Sequence, residues 1–456
     1  MMGMSRIKIT DVAKRNALAV LFILPAFLLA LGTGPDVTSS ANAQTPQYGQ
    51  DLHIGVTSCA GSTCHGATSP WENSTVLQNE YVTWSQKDEH SKAYSKLLNE
   101  ESKRIAANLG LPNAHEADLC LDCHADNAPK DKRGRFFQIS DGVACESCHG
   151  GAERYLGIHI SGAANHQDNL NAGMYPTEDP VKRAELCLSC HFGEDKKFVT
   201  HRIMGAGHPR MSFELDTFTA IQPAHFEIDN DYRKRKAVAN GVRTWAIGQA
   251  IALKRRVDAA ADPQRGWDGL FPELVLFDCQ ACHHPLTAPT WQSRPSTGLP
   301  SGVVRFDDSN ALMLGIIADH VDSDLGATLK QQMKALHAST LEGLEAYKTA
   351  ANALKETADG LVAKFSTHAF GKDDIAAMMT GVLTQAAAAE FSDYAGAEQA
   401  TMALSAIAAA ARDAGMAELA KGIDAPLAKA FTALDKYDGW DHPGFQAAIA
   451  EIKPAP

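Results

Sequence analysis

Apolar residues recur at helical spacing through the last third of the chain, from about residue 308 onward. Alanine, the best helix former, supplies 16 of the 40 residues at 381–420. Glycine and aspartate interrupt the pattern at Asp359-Gly360, at residues 371–374 and at Gly422. The pattern therefore predicts a bundle of five or six antiparallel helices that are separated at these points.

The chain before residue 300 also has helical patterning, but it contains many more loops. Residues 76–109 form a long amphipathic run that Gly110 ends, and Asp179-Pro180 places an acidic N-cap and a proline where a helix is expected to begin. Glycine, asparagine and histidine are frequent at residues 125–175, which is typical of loops. No run of alternating apolar and polar residues predicts a sheet. We therefore predict a mainly α-helical fold with a loop-rich first part.

Composition divides the chain into three segments. The first 43 residues combine a basic start, an apolar stretch at residues 17–31 and a small-residue cleavage site at residues 41–43. A bilayer span needs about 20 apolar residues, so we predict a cleaved export signal, with an uncleaved anchor as the alternative. A Pro-, Gly- and Ser-rich stretch precedes the helical part. We predict one domain over residues 44–300 and an α-helical one over residues 301–456.

Charge and cysteine content narrow the class of protein. The 456 residues are 45% hydrophobic and 21% charged, as is usual for a globular protein. The formal net charge is −12, and it becomes more negative without residues 1–43, which carry more cations than anions. This sign disfavours nucleic acid as a partner, because phosphates are bound by cations. The ten cysteines matter most, since a chain of this length can bury a core without disulfides.

Four segments share the pattern C-x-x-C-H, which is the covalent attachment signature of c-type haem. Their residues are Cys120, Cys123 and His124; Cys145, Cys148 and His149; Cys187, Cys190 and His191; and Cys279, Cys282 and His283. On one helical turn these positions share a face, so both thiols can bond the porphyrin while the histidine reaches the iron as proximal ligand.

A fifth segment has four residues between its cysteines, Cys59 and Cys64, and the same histidine, His65, directly after them. Glycine and small residues in the insert allow the loop to bulge and keep Cys64-His65 intact. Five disulfides or several zinc sites are the alternatives for ten cysteines. Neither explains a histidine after every second cysteine. We therefore predict five covalently attached haem c groups, on motifs numbered 1 to 5 in chain order.

The sixth ligand of each iron decides between electron transfer and catalysis, because a second histidine saturates the iron whereas a vacancy admits a small molecule. We favour His90, which the pattern places in mid-helix among polar residues, as one axial ligand. His208 is a second candidate, since the adjacent glycines allow close approach to a flat ring and Arg210 could pair with a haem propionate.

Further axial candidates come from the remaining histidines before residue 300. We expect at least one of two histidines that follow motif 3, His159 and His166, to be a ligand. The other candidates are His53, His115, His201, His225 and His284. The supply therefore suffices for two histidines on every iron, but the sequence leaves open whether it is used in that way.

These residues resemble the multihaem cytochromes of the cytochrome c-554 type, which are related in haem arrangement to hydroxylamine oxidoreductase and pentahaem nitrite reductase. The likeness covers about residues 53–285 and rests on Cys64-His65-Gly66, on Trp84-Ser85 ahead of His90, and on the segment from Cys145 to Gly150. In that family the histidine after Trp-Ser is a distal ligand, as is one after the Cys-His-Gly motif. The resemblance thus implies such roles for His90 and for His159 or His166, and a periplasmic electron-transfer function.

The chain also departs from this family. A typical member carries four haems, so motif 5 is an addition, and the helical C-terminal part has no counterpart in the resemblance. The Cys-x-x-Cys-Lys site of nitrite reductase is missing, and five motifs fall short of the eight haems of hydroxylamine oxidoreductase. Direct transfer of either activity is therefore disfavoured.

We accordingly predict a periplasmic pentahaem cytochrome that relays electrons between redox protein partners, with a quinol-oxidising membrane complex as one candidate partner. One alternative is an oxidoreductase with an open haem that acts on a small nitrogen or sulfur compound. A third is an assembly or docking subunit of a larger redox complex. After signal cleavage we expect no integral membrane span, and the sequence leaves the oligomeric state open.

Overall fold

The computed structural model describes residues 45–453 except residues 73, 196, 270, 284–293 and 300–302. The predicted export signal, residues 1–43, and His284 lie outside the described residues. The predicted mainly α-helical fold is confirmed, since 59% of the structure is helical. Within the described part of the chain there are 19 α-helices and four strands of two residues each.

Seven short helices alternate with loops and 3₁₀ turns in the first part of the structure. They are α1 (Glu80–Lys87), α2 (Ala93–Lys96), α3 (Glu100–Leu109), α4 (Asp118–His124), α5 (Cys145–His149), α6 (Leu156–His159) and α7 (His166–Asn171). None exceeds ten residues, a length at which an isolated helix is marginal in water. The structure of this part therefore depends on tertiary contacts rather than on helix propensity.

The amphipathic run at residues 76–109 is broken into three helices rather than forming one. The backbone is extended at Asp88, whose carboxylate accepts a hydrogen bond from the His90 amide and caps a 3₁₀ turn. Asn99 caps α3 in the same way through the Ser102 amide, and Gly110 ends α3 in a left-handed conformation. The prediction that His90 lies in mid-helix is therefore wrong, because the Asp88 cap competes with a continuous helix and places His90 in the turn.

The middle part contains two small hairpins and five helices. The helices are α8 (Pro180–His191), α9 (His201–Gly205), α10 (Leu215–Ile221), α11 (Asn230–Arg235) and α12 (Gly241–Ala261), and the strands are β1 (Gly193–Glu194), β2 (Lys197–Phe198), β3 (Trp267–Asp268) and β4 (Phe271–Pro272). The strands pair antiparallel, β1 with β2 and β3 with β4. The predicted start of α8 is confirmed: the Asp179 carboxylate accepts hydrogen bonds from the Val181 and Lys182 amides, with Pro180 in the first turn.

The described residues after 308 form seven helices, one more than the upper number predicted. They are α13 (Ser309–Val321), α14 (Ser323–Ser339), α15 (Leu344–Thr367), α16 (Lys372–Ala387), α17 (Tyr394–Asp413), α18 (Asp424–Ala433) and α19 (His442–Ala450). Breaks occur at Gly371 and Gly422 as predicted. Asp359-Gly360 does not break α15, because a glycine costs a helix only about 1 kcal/mol and the neighbouring Leu361 and Phe365 are fully buried.

One hydrophobic core runs from α8 to α19 and crosses residue 300 without interruption. Helix α12 lies at its centre, with Trp245 and Leu253 fully buried, and packs against α8, α13, α15 and α17. The division of the chain at residue 300 stays a prediction from composition, whereas the packing joins helices from both sides of it. No helix among the described residues combines the length and the apolarity that a membrane crossing requires.

Candidate haem sites

The attachment motifs lie at helix ends or in tight turns. Motif 2 occupies the end of α4, motif 3 is α5 itself, and motif 4 ends α8. Motif 5 begins in a 3₁₀ turn that starts at Cys279, and motif 1 follows a 3₁₀ turn that ends at Ser58. In the three helical motifs the cysteines and the histidine occupy positions i, i+3 and i+4 and so share one face. All ten cysteines have free thiols, as thioether attachment requires.

Each of the five motif histidines faces a histidine from outside the motifs. The ring-centre separations are 6.0 Å for His65 and His159, 6.4 Å for His124 and His208, 6.2 Å for His149 and His225, 6.2 Å for His191 and His90, and 6.2 Å for His283 and His201. Every pair joins one motif residue to one residue far away in the sequence. No histidine is shared between two pairs.

This spacing fits an iron ion held between two imidazoles. A metal–imidazole bond is about 2.0–2.1 Å long and the ring centre lies about 1.1 Å behind the nitrogen, so two rings on opposite sides of one metal ion have centres about 6.2 Å apart. The observed separations of 6.0 to 6.4 Å bracket this value.

Hydrogen bonds orient several of these rings through Nδ1. Nδ1 of His65 lies 3.0 Å from Glu80 Oε2, and Nδ1 of His90 lies 2.9 Å from Asp88 Oδ1. A ring whose Nδ1–H is held in this way presents Nε2 to a metal ion. On both rings the nitrogen that would bind iron is therefore selected by the protein.

The same orientation recurs in the pair of motif 2, with backbone acceptors instead of carboxylates. His124 Nδ1 donates to the Ala93 carbonyl at 3.2 Å, and His208 Nδ1 donates to the Pro209 carbonyl at 2.8 Å. Both acceptors are uncharged. The five pairs thus share one ring spacing but differ in the charge that their rings contact.

Burial favours the neutral, metal-binding form of the most enclosed rings. Desolvation, with a smaller contribution from His225, lowers the pKa of His149 to about 3. Desolvation and the neighbouring His90 lower the pKa of His191 to about 4. Both imidazoles are unprotonated at neutral pH, which is the state in which histidine binds metals.

Motifs that are distant in sequence meet in space. The thiol of Cys59 in motif 1 lies close to that of Cys145 in motif 3, and the thiol of Cys123 in motif 2 lies close to that of Cys190 in motif 4. The buried Lys197 ammonium lies 3.3 Å from the Cys190 sulfur. The motifs therefore associate as 1 with 3 and 2 with 4.

The remaining histidine candidates contact groups other than motif histidines. His166 Nε2 lies 2.5 Å from Glu178 Oε1, and the His115 ring lies edge-on to Tyr94. His53 is buried, with Nδ1 2.8 Å from Asp126 Oδ2 and Nε2 3.2 Å from the Pro46 carbonyl. Both nitrogens of His53 thus have acceptors, which makes it an anchor for the start of the described chain.

Glu146, the second residue of motif 3, completes this buried anchor. Its carboxylate accepts hydrogen bonds from the amides of Ile54, Gly55 and Ala152, each at 2.8 Å. The variable position of the motif is therefore used to fix the chain beside motif 1. Sequence reasoning missed this role, because a glutamate between two cysteines gives no local sign of burial.

The helical part of the chain contributes the wall of a cavity beside motif 5. A partly open cavity of about 80 Å³ lies between Cys279, His191 and the residues of α17. Arg210 Nη2 lies 2.6 Å from Glu398 Oε2, and the Arg210 guanidinium lies over the rings of Tyr394 and Tyr437. The structure thus turns Arg210, considered above as a propionate partner, toward α17.

A buried ion network fixes motif 5 to the same helices. Arg305 contacts Asp278 at 3.0 Å, Asp393 at 2.8 Å and Asp308 at 2.8 Å, and all four residues are buried. Asp278 directly precedes Cys279 and caps its turn through the Gln280 amide. Motif 5 and the C-terminal helices therefore form one structural unit.

Residues 58–150 match the family model described as Cytochrome c554 and c-prime. The matched segment contains motifs 1, 2 and 3, including the widely spaced Cys59 and Cys64. The match supports a c-type cytochrome with covalently bound haem that takes part in electron transfer. It covers part of the stretch of about residues 53–285 over which the resemblance was predicted. No curated protein and no solved structure matches the chain.

Proposed function

We propose that the chain is a pentahaem electron-transfer cytochrome in which each iron has two histidine ligands. The observation that carries this proposal is the separation of 6.0 to 6.4 Å within five independent histidine pairs, one for every attachment motif. His90, His159, His208, His225 and His201 would be the distal ligands. His166 has no such role in the proposal, because it is held by Glu178.

The chain's own residues would hold the cofactor and restrict its chemistry. When bound, c-type haem supplies an iron that alternates between its ferrous and ferric states. The ten cysteines would fix the porphyrins, and the paired imidazoles would occupy both axial positions. A small molecule then finds no free position, which favours electron transfer over catalysis.

The contacts between motifs support a relay rather than five isolated centres. The Cys59 thiol lies close to that of Cys145, and the Cys123 thiol lies close to that of Cys190, so cysteines that would anchor different haems are neighbours in two places. Short separations between redox centres favour electron transfer within the molecule. His191 of motif 4 and Cys279 of motif 5 line one cavity, so the fifth centre would lie beside the fourth.

We place this function in the periplasm, with residues 1–43 as a cleaved export signal. The proposed partners are redox proteins, with a quinol-oxidising membrane complex as one candidate. The net charge of −12 favours a partner with a basic contact surface.

The proposal is tested by counting haems and probing their ligation in the purified holoprotein. A pyridine haemochrome assay should give five haems per chain. Carbon monoxide should leave the visible spectrum of the reduced protein unchanged, since no iron would have a free position. Four haems would remove motif 1 from the proposal, and carbon monoxide binding to one haem per chain would favour an oxidoreductase.

A matched pair of variants tests the ligand assignment. The His225→Ala variant should produce one haem per chain that binds carbon monoxide, because the partner of His149 is lost. The His166→Ala variant should remain inert to the gas, because His166, which also lies before residue 300, contacts Glu178 rather than a motif histidine. The reverse result would overturn the assigned pairs.

A further inference from the structure

Two of the five histidine pairs have a carboxylate bound to one ring, and the others do not in the described contacts. Glu80 contacts His65 of motif 1, and Asp88 contacts His90 in the pair of motif 4. The two carboxylates lie at either end of α1. One short helix therefore brings a negative charge to two different iron sites.

Glu80 is held so that its charge faces the ring. Its Oε2 lies 3.0 Å from His65 Nδ1, while its Oε1 accepts a hydrogen bond from the Gln78 amide at 3.1 Å. Gln78 has a positive φ of 60°, a conformation that residues other than glycine seldom adopt. The loop thus tolerates local strain while its backbone orients the carboxylate.

Asp88 is more deeply buried and more completely bound. Its Oδ1 accepts hydrogen bonds from the backbone amide and from Nδ1 of His90, at 3.0 and 2.9 Å. Gln222 Nε2 donates to its Oδ2 at 3.1 Å. Only 5% of Asp88 is exposed, so water screens its charge little.

The pair of motif 2 provides the internal comparison. His124 and His208 donate Nδ1–H to backbone carbonyls, which carry no net charge. The buried Lys197 ammonium contacts both motif 2 and motif 4, at 3.2 Å from the Asp122 carbonyl of motif 2 and 3.3 Å from the Cys190 sulfur of motif 4, and so does not distinguish them. The contrast between motif 2 and motif 1 therefore lies in the groups that their rings contact.

We propose that Glu80 and Asp88 are positioning residues that lower the reduction potentials of the haems on motifs 1 and 4. A carboxylate that accepts the Nδ1–H bond increases the electron donation of the imidazole and stabilises the ferric state. The inference rests on the ligand pairs proposed above.

This assignment gives the relay an electrostatic pattern. Motif 1 contacts motif 3, and motif 4 contacts motif 2, so each contact joins a carboxylate-bound pair to one without a carboxylate contact. Each low-potential centre would thus have a neighbour of higher potential. Within each contacting pair, an electron would reside preferentially on motif 3 or motif 2.

The test is a spectroelectrochemical titration of the holoprotein and of two charge-removing variants, Asp88→Asn and Glu80→Gln. Each variant should raise the potential of one haem by at least about 59 mV, which corresponds to a tenfold change in a one-electron equilibrium constant. The potential of the haem on motif 3 should change by less, because both carboxylates also act on His225 without contacting its ring, and the other three should change least. Asp88→Glu, which keeps the charge, should restore most of the wild-type potential.

The matched control is Glu89→Gln, which removes a charge from the residue next to Asp88. Glu89 is exposed and pairs with Lys92 at 2.8 Å rather than with an axial histidine. In this variant each of the five potentials should differ from the wild-type value by only a fraction of the shift seen for Asp88→Asn. Equal shifts in the two variants would overturn the inference and indicate a general surface-charge effect.

Low-temperature electron paramagnetic resonance separates failure of this inference from failure of the proposed function. If the wild type contains only low-spin haem and neither variant changes a potential, the inference is wrong and the proposed ligation stands. If the wild type contains high-spin haem, the proposed ligation itself fails. Two independent carboxylate sites keep the test decisive if one variant loses its axial ligand.

Discussion

The two ends of the molecule bury different kinds of side chain. Before residue 176 most of the buried hydrophobic residues are alanines, with Leu97 and Leu121 among the few larger ones. After residue 308 the core contains many large side chains, of which Leu314, Leu361 and Phe365 are completely buried. The helices differ in the same direction, with at most ten residues in α1 to α7 and up to 24 in the C-terminal set.

This contrast shows what holds each region together. The C-terminal helices carry enough apolar surface to form a protein core, since burying one large aliphatic or aromatic side chain contributes roughly 1.5–3 kcal/mol. The first region has little such surface and is held by polar anchors such as His53, Asp126 and Glu146. The proposed haems would supply the missing apolar volume there.

The largest expected effect is on protein produced without haem, in which the two regions should differ in their protection from hydrogen exchange. Protein produced without the haem-attachment machinery should lose protection from hydrogen exchange over residues 45–176, because short helices need tertiary contacts. Helices α12 to α17 should stay protected. Hydrogen exchange detected by mass spectrometry measures both, and equal loss of protection in the two regions would contradict the contrast.

The second effect concerns the ion network that joins motif 5 to the C-terminal helices. Arg305→Leu leaves the buried Asp278 without a cation, whereas Asp308 and Asp393 keep the buried Arg294, and breaking a buried pair in this way costs about 3–5 kcal/mol. Denaturant unfolding followed by far-ultraviolet circular dichroism gives the free energy of unfolding. The variant should also change the absorbance of the haem on motif 5, because Asp278, which loses its cation, directly precedes Cys279.

An exposed ion pair of the same chemistry is the control for this network. Arg412 contacts Asp424 at 2.7 Å, but both side chains are substantially exposed. Arg412→Leu should therefore lower the free energy of unfolding by less than about 1 kcal/mol. If the two leucine variants were equally stable, the buried network would not be what couples the regions.

The smallest effect is a pH dependence in the first region. Burial alone would lower the pKa of His53, but its hydrogen bond to Asp126 and the charge of that carboxylate raise the pKa above the ordinary value of 6.5. A raised pKa means that the stabilisation is complete below pH 6.5 and is lost as the pH rises through the folded-state pKa. One proton limits the slope to about 1.4 kcal/mol per pH unit.

Chemical unfolding of the holoprotein at several pH values measures this slope. The wild type should lose stability above pH 6.5 more steeply than His53→Gln, which cannot be protonated. Identical pH profiles for the two proteins would show that His53 is not the charged anchor. The comparison concerns the first region alone, because His53, Asp126 and Pro46 all lie there.

The sequence was most informative where chemistry is local. Cysteine spacing located all five motifs, and Asp179-Pro180 located the start of α8, because each signal lies within one turn of chain. The proposed axial partners were harder to foresee. The sequence weighted His159 and His166 alike, but packing brings His159 to His65 and leaves His166 with Glu178.

Long-range packing also explains what the sequence underweighted. His225 and His201 stood among the lesser candidates, since neither has a neighbouring residue pattern that marks a ligand, and their partners lie in distant parts of the chain. The continuity of the core across residue 300 was hidden for the same reason. Asp359-Gly360 looked like a break because its local propensity is poor, whereas the packing of α15 outweighs that propensity.

Electron paramagnetic resonance of the oxidised holoprotein tests the central claim of two histidines per iron most directly. Perpendicular axial rings give strongly anisotropic low-spin signals, whereas nearly parallel rings give rhombic ones. Three pairs have interplanar angles of 83°, 86° and 89°, and two have angles of 18° and 38°. The account predicts three strongly anisotropic signals, two more rhombic signals and no high-spin iron. A high-spin signal that integrates to one haem per chain would contradict it.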